Sequence, residues 1–274
     1  MSSIISAEEL ENILDNPNLI ILDCRYNLAN PLEGIELYQH GHIPKAQFIH
    51  PDTDLSSKII PGETGRHPFP SEQQLQTLIE KIGLNADSQV VCYDASNGAI
   101  AARAWWILKF CGFDHVSILD GGWPVWTKTS NQITQKIPPV AAGHFIIRPR
   151  TDWLIDADRL HDELGAHCIF DARANDRYHG KNETIDPVAG HIPTAESAPF
   201  AYNLDGQGFF LPLEQLKKRF EALSNGKPAV HYCGSGITAC HNWFAMYEAG
   251  LNPGKLYSGS WSHWITDPNR PIEL

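Results

Sequence analysis

Excess basic charge, long apolar runs and paired cysteines are three things that this 274-residue chain lacks. It carries 21 Lys and Arg against 32 Asp and Glu, a formal charge of -11. That balance argues against nucleic acid or an anionic membrane as a partner, though a local cluster of N–H groups can still bind a small anion. No run approaches the roughly 18 apolar residues that a membrane-crossing helix needs. Met1 to Leu10 shows neither a basic n-region nor an apolar h-region, so no signal peptide is expected. Ser6 with Glu9 three positions on reads instead as a helix start. Six cysteines (Cys24, Cys92, Cys111, Cys168, Cys233, Cys240) include no Cys-x-x-Cys pair. They read as reduced thiols of a cytoplasmic protein. The 13 histidines fall in no His-Glu-x-x-His or Cys/His ligand spacing, so no metal and no other cofactor are expected.

What the chain does have is a long-period duplication. Leu22-Asp23-Cys24-Arg25 answers to Phe170-Asp171-Ala172-Arg173, and Gly41-His42-Ile43-Pro44 to Gly190-His191-Ile192-Pro193. Val90-Val91-Cys92-Tyr93 answers to Ala229-Val230-His231-Tyr232, and Gly121-Gly122-Trp123 with Trp126 to Gly259-Ser260-Trp261 with Trp264. Each half alternates short β-branched runs with helical stretches. The expectation is an α/β protein of two tandem domains, each a mainly parallel sheet flanked by helices. The boundaries read as 1–126, a Thr/Gln/Pro-rich linker over 127–142, and 143–274. Features common to both halves read as scaffold, His42 and His191 included.

Chemistry is sought where the halves differ. The second half has the loop Cys233-Gly234-Ser235-Gly236-Ile237-Thr238 between a strand-like run and a helix expected from about 237 to 249. A cysteine there faces the free N–H groups of a helix start, which favour an anion. A thiol of pKa about 8.5 can fall to roughly 3.5–7.5 in such settings. The first half has Asp94 in its place, and a carboxylate cannot carry a persulfide. Arg177 is likewise unmatched, its counterpart lying near Ala29.

Taken together, Asp171-Ala172-Arg173, Arg177-Tyr178, Gly190-His191-Ile192-Pro193, the Cys233 loop and Gly259-Ser260-Trp261 resemble the tandem-domain rhodanese sulfurtransferases. The resemblance covers nearly the whole chain. Its Cys-Gly-Ser-Gly-Ile-Thr loop is similar to the 3-mercaptopyruvate sulfurtransferase version. It implies that Cys233 takes a sulfur atom from a small anionic donor as a persulfide. A thiol, a thioredoxin-like protein or cyanide then removes it. The backbone of Gly234, Gly236, Ile237 and Thr238 would hold the anion, and Arg177 would grip the donor carboxylate. The resemblance also implies a Ser–His–Asp arrangement of Ser235, His67 and Asp52 that relays a proton to the pyruvate enolate. A second arginine usual in the mercaptopyruvate enzymes is missing. Asp186 sits near its position and would repel the donor if it faced the pocket.

Three rival readings stand beside this one. A thiosulfate-preferring rhodanese stays open because the missing second arginine, with Asp186 near its place, weakens the preference for mercaptopyruvate. A phosphatase would need Cys-x5-Arg, but the sixth residue after Cys233 is Ala239. A non-catalytic sulfur carrier or docking module would suit a chain whose first domain lacks the thiol.

Overall fold

A computed structural model describes residues 2–130, 132–224 and 226–274. The chain divides into two compact units. One holds Met1–Ser57, Pro70–Arg150 and Gln207–Phe209; the other holds Lys58–Phe69, Thr151–Gly206 and Phe210–Leu274.

The first unit is built on five parallel strands: β1 (Ile4–Ile5), β2 (Leu19–Asp23), β3 (Ala46–Phe48), β4 (Gln89–Tyr93) and β5 (Val116–Leu119). Their order across the sheet is β1-β5-β4-β2-β3. The second unit repeats the pattern with β6 (Cys168–Asp171), β7 (Ala195–Ser197), β8 (Ala229–Tyr232) and β9 (Lys255–Leu256), in the order β7-β6-β8-β9. A parallel bridge from Leu154 to Leu256 extends its edge as β1 extends the first sheet. The expected two α/β domains are both present.

The central strands are buried on both faces, which is why they read as unbroken apolar runs rather than as alternating ones. In β6 the side chains still alternate. Ile169 packs with Val230, Leu160, Trp261 and Trp264 on one face, and Phe170 with Leu216, Phe220 and Met246 on the other. The helix Ala7–Asn12 starts at the expected capping box: Ser6 Oγ accepts from the Glu9 amide, and the Glu9 carboxylate accepts from the Ser6 amide. Among the described residues no helix is long and apolar enough to cross a membrane.

The repeated motifs serve as matched scaffolding. Arg25 Nη2 donates to Asp23 Oδ2 at 2.6 Å and to the Gly41 carbonyl at 2.7 Å. Arg173 Nη2 donates to Asp171 Oδ2 and to the Gly190 carbonyl, both at 2.6 Å. Each guanidinium lies over a tryptophan, Trp123 at 4.2 Å and Trp261 at 4.8 Å. His42 stacks on Tyr38 and His191 on Tyr178, each with ring centroids 3.9 Å apart. Both histidines pack, as their occurrence in both halves implies.

The units depart from the composition-based boundaries in two places. The 127–142 stretch begins inside the helix Gly122–Thr129 and then runs along the first unit, where Thr134 pairs antiparallel with His42. The Arg148 and Arg150 amides donate to Cys111 and Phe110 at 2.8 Å, which carries the first unit on to Arg150. Lys58–Phe69, early in sequence, belongs to the second unit. A methyl group on Gly65 would lie 2.6 Å from the Gly259 carbonyl, so only glycine admits that approach. The Arg66 amide donates to Ser262 Oγ at 3.0 Å beside it.

Candidate active site

Cys233 follows directly on β8, and the loop it opens ends at Thr238, the residue before the helix Ala239–Glu248. That helix starts two residues later than expected, because Ile237 and Thr238 stay in the loop. The loop is anchored by its backbone. The Cys233 amide donates to Ser260 Oγ at 3.1 Å, and the Trp261 and Ser262 amides donate to the Cys233 and Gly234 carbonyls, each at 2.9 Å. Ser260 and Trp261 therefore hold the loop directly. The Gly236 amide turns inward and donates to Cys233 Sγ at 3.1 Å. Gly236 has φ +82°, and a Cβ there would meet the Ser258 carbonyl at 2.1 Å, so the turn requires glycine.

Cys233 is only 2% exposed, yet its surroundings are polar rather than greasy. Ser235 Oγ lies 2.8 Å from His67 Nδ1, both side chains buried. Arg177, on the short helix Asn175–Tyr178, and Arg66 extend their guanidinium groups toward Gly234. A methyl group on Gly234 would come 2.9 Å from Arg66 Nη2 and 3.5 Å from both Nη atoms of Arg177. Burial lowers the Arg66 pKa from arginine's usual value, and the attraction of the Cys233 sulfur partly offsets this.

Four predicted residues thus meet in one unit: Cys233, Ser235, His67 and Arg177. Gly234 and Gly236 line the same loop, Ile237 is buried in it, and Thr238 is half-buried at its end. Asp52 belongs to the first unit, where its carboxylate accepts from the Tyr26 hydroxyl at 2.9 and 3.0 Å. Asp186 is the carboxylate expected to repel the donor if it faced the pocket. Rather than standing as an unbalanced charge, it bridges Arg66 Nη1 and Arg177 Nη2, the second contact at 3.0 Å. Glu183 accepts from Arg177 Nη2 at 2.9 Å and is held by Arg173 at 3.4 Å. Sequence reasoning did not single out Arg66, Glu183 or Ser260 as site residues. The one signal for Arg66 was its place beside the candidate His67. Among the described residues no group of three or more His, Cys, Asp and Glu side chains is placed to hold a metal ion.

The equivalent loop of the first unit is filled by its own carboxylate. Asp94 Oδ1 accepts from the Ser96 and Gly98 amides at 2.7 and 2.9 Å. Its Oδ2 accepts from Ile100 and Ala101 at 2.8 and 2.9 Å. Burial pushes the Asp94 carboxyl above its usual pKa, against the pull of those four donors. The amide geometry that can hold an anion is retained, and an internal anion occupies it.

A rhodanese-like domain model matches residues 6–129 and again residues 156–267. The chain belongs to the rhodanese-like family, with two copies of the domain. It is 47% identical over 277 residues to a protein of Pseudomonas aeruginosa named "Probable 3-mercaptopyruvate sulfurtransferase", covering 99% of this chain and 98% of that one. It is 30% identical over 301 residues to "Thiosulfate/3-mercaptopyruvate sulfurtransferase 2" of Arabidopsis thaliana, covering 98% of this chain and 86% of the relative. Among solved structures, a 3-mercaptopyruvate sulfurtransferase from Leishmania major superposes with a TM-score of 0.85 at 27% identity, over 98% of this chain and 75% of that one.

Proposed function

We propose that this protein is a sulfurtransferase that passes one sulfur atom from 3-mercaptopyruvate, through a persulfide on Cys233, to a thiol, a thioredoxin-like protein or cyanide. The observation that carries this reading is the Gly236 amide on Cys233 Sγ, in a loop over which two guanidinium groups close. The names of the relatives support the same chemistry.

In the first step the Cys233 thiolate attacks the donor sulfur and forms an S–S bond. The donor C–S bond breaks, and its electron pair stays on carbon as the enolate of pyruvate. A proton must reach that carbon. Ser235, hydrogen-bonded to His67, is the group we assign to deliver it. The products are pyruvate and a Cys233 persulfide, which returns the donor thiol's proton to the Ser235–His67 pair and is held as an anion by the loop amides of Gly234 to Thr238. In the second step the acceptor thiolate or cyanide attacks the outer sulfur, and the Cys233 thiolate leaves. The scattered spacing of the six cysteines, with no Cys-x-x-Cys pair, supports a reducing compartment such as the cytoplasm.

Thiosulfate poses a different demand, since sulfite departs as a stable anion and needs no proton. Steady-state assays with both donors therefore test the roles separately. Cys233→Ser is expected to abolish turnover of both. Ser235→Ala is expected to slow the 3-mercaptopyruvate reaction by about 10²–10⁴-fold while sparing thiosulfate. Turnover retained by Cys233→Ser contradicts the reading, and equal loss on both donors contradicts the proton role of Ser235.

A further inference from the structure

We infer that Asp186, which bridges the two-guanidinium seat of Arg66 and Arg177 on which the proposed function already relies, is a resident carboxylate that sets which donor anions enter it. This rests on the sulfurtransferase reading and names the specificity-determining residues of that site.

The two guanidinium groups converge within a few ångströms of Gly234, the residue next to the nucleophile. Asp186 shows what the seat accepts. One carboxylate oxygen takes Arg66 Nη1 and the other takes Arg177 Nη2, the bridging geometry an α-keto acid could adopt. The seat also has unused capacity. Arg66 Nε is buried with no hydrogen-bond partner, an unpaired donor on a charged group that an incoming anion can satisfy.

Charge balance supplies the selectivity. Arg66 and Arg177 contribute two positive charges, and Glu183 and Asp186 two negative ones. A monoanionic keto acid meets a neutral cluster and shares its donors. Neither anion finds net positive charge there, and a dianion such as thiosulfate carries twice the uncompensated charge into the site. Removing the Asp186 charge leaves the cluster net positive. By Coulomb's law a dianion gains about twice the free energy a monoanion gains from that change.

The test separates binding from sulfur transfer. In the Cys233→Ser protein, calorimetry gives the dissociation constants of pyruvate and thiosulfate with and without Asp186→Asn. If pyruvate tightens about tenfold, thiosulfate should tighten about a hundredfold, the square of that factor. A merely structural role of Asp186 would not move this ratio. Arg66→Gln is expected to weaken both anions and to shrink the effect of Asp186→Asn. Arg66→Lys retains the charge and serves if Arg66→Gln does not fold. Unchanged affinities, or equal factors for the two anions, overturn the inference. If Cys233 accepts sulfur but the anions ignore Asp186, the seat alone falls. If the anions respond as predicted while Cys233 never accepts sulfur, the seat stands and the transfer reading falls.

Discussion

His231, two positions ahead of Cys233 in β8, is a fully buried imidazole, and its protonation links pH to stability. Its Nε2 carries the proton, because the Pro253 carbonyl at 3.0 Å can only accept. Its Nδ1 is buried with no hydrogen-bond partner, and the Phe170 ring lies 5.3 Å away. Burial pushes the pKa down to about 3, the Pro253 hydrogen bond opposes this, and the Arg219 charge adds to the lowering. In the unfolded chain the same imidazole titrates near 6.5. Between those values the unfolded chain binds a proton that the folded chain refuses. Stability is therefore full above about pH 6.5 and falls as the pH drops toward 3, by about 1.4 kcal/mol for each unit well inside that window. His231→Gln keeps a donor for Pro253 and removes the titration. Urea midpoints measured from pH 7 to pH 4 should fall more steeply for the native protein than for this variant. Parallel curves would show that His231 does not set the acid limit.

At the scale of elements, two loops of the same design follow β4 and β8, and one residue separates their roles. In the first unit Asp94 collects four amides and locks its loop; in the second, Cys233 sits where that carboxylate would be. Asp94→Asn keeps the shape but leaves one oxygen, and it turns an NH2 group toward amide donors. At least one buried donor then lacks an acceptor, so the first unit is expected to lose about 1–3 kcal/mol, read as a lowered urea midpoint. An unchanged midpoint would mean that the loop is held by something other than its carboxylate. The contrast was legible in the sequence because both loops occupy matched positions in a visible repeat. The Arg66–Asp186 pair was not. Its members lie 120 residues apart, and the segment bearing Arg66 shows no periodicity to assign it to the second unit. That assignment depends on the close approach of Gly65 to the Gly259 carbonyl, a tertiary fact without a sequence signature.

Across the whole molecule, the duplicated motifs predicted the architecture because each is a local device that folds the same way twice: an Asp–Arg pair under a tryptophan, and a histidine stacked on a tyrosine. Among the described residues the second unit combines a loop thiol, two guanidinium groups and a hydroxyl–imidazole pair, so sulfur chemistry is expected there. Cys24, Cys92, Cys111, Cys168 and Cys240 are buried thiols outside that setting. Burial pushes the Cys111 thiol up to about 12, and the Cys240 thiol donates to the Gly236 carbonyl at 3.3 Å. The most direct test is mass spectrometry of the intact protein and its peptides after exposure to 3-mercaptopyruvate. One added sulfur atom is expected, found on the peptide bearing Cys233 and removed by cyanide. No added sulfur, or sulfur carried on any of the other five cysteines instead, would contradict it.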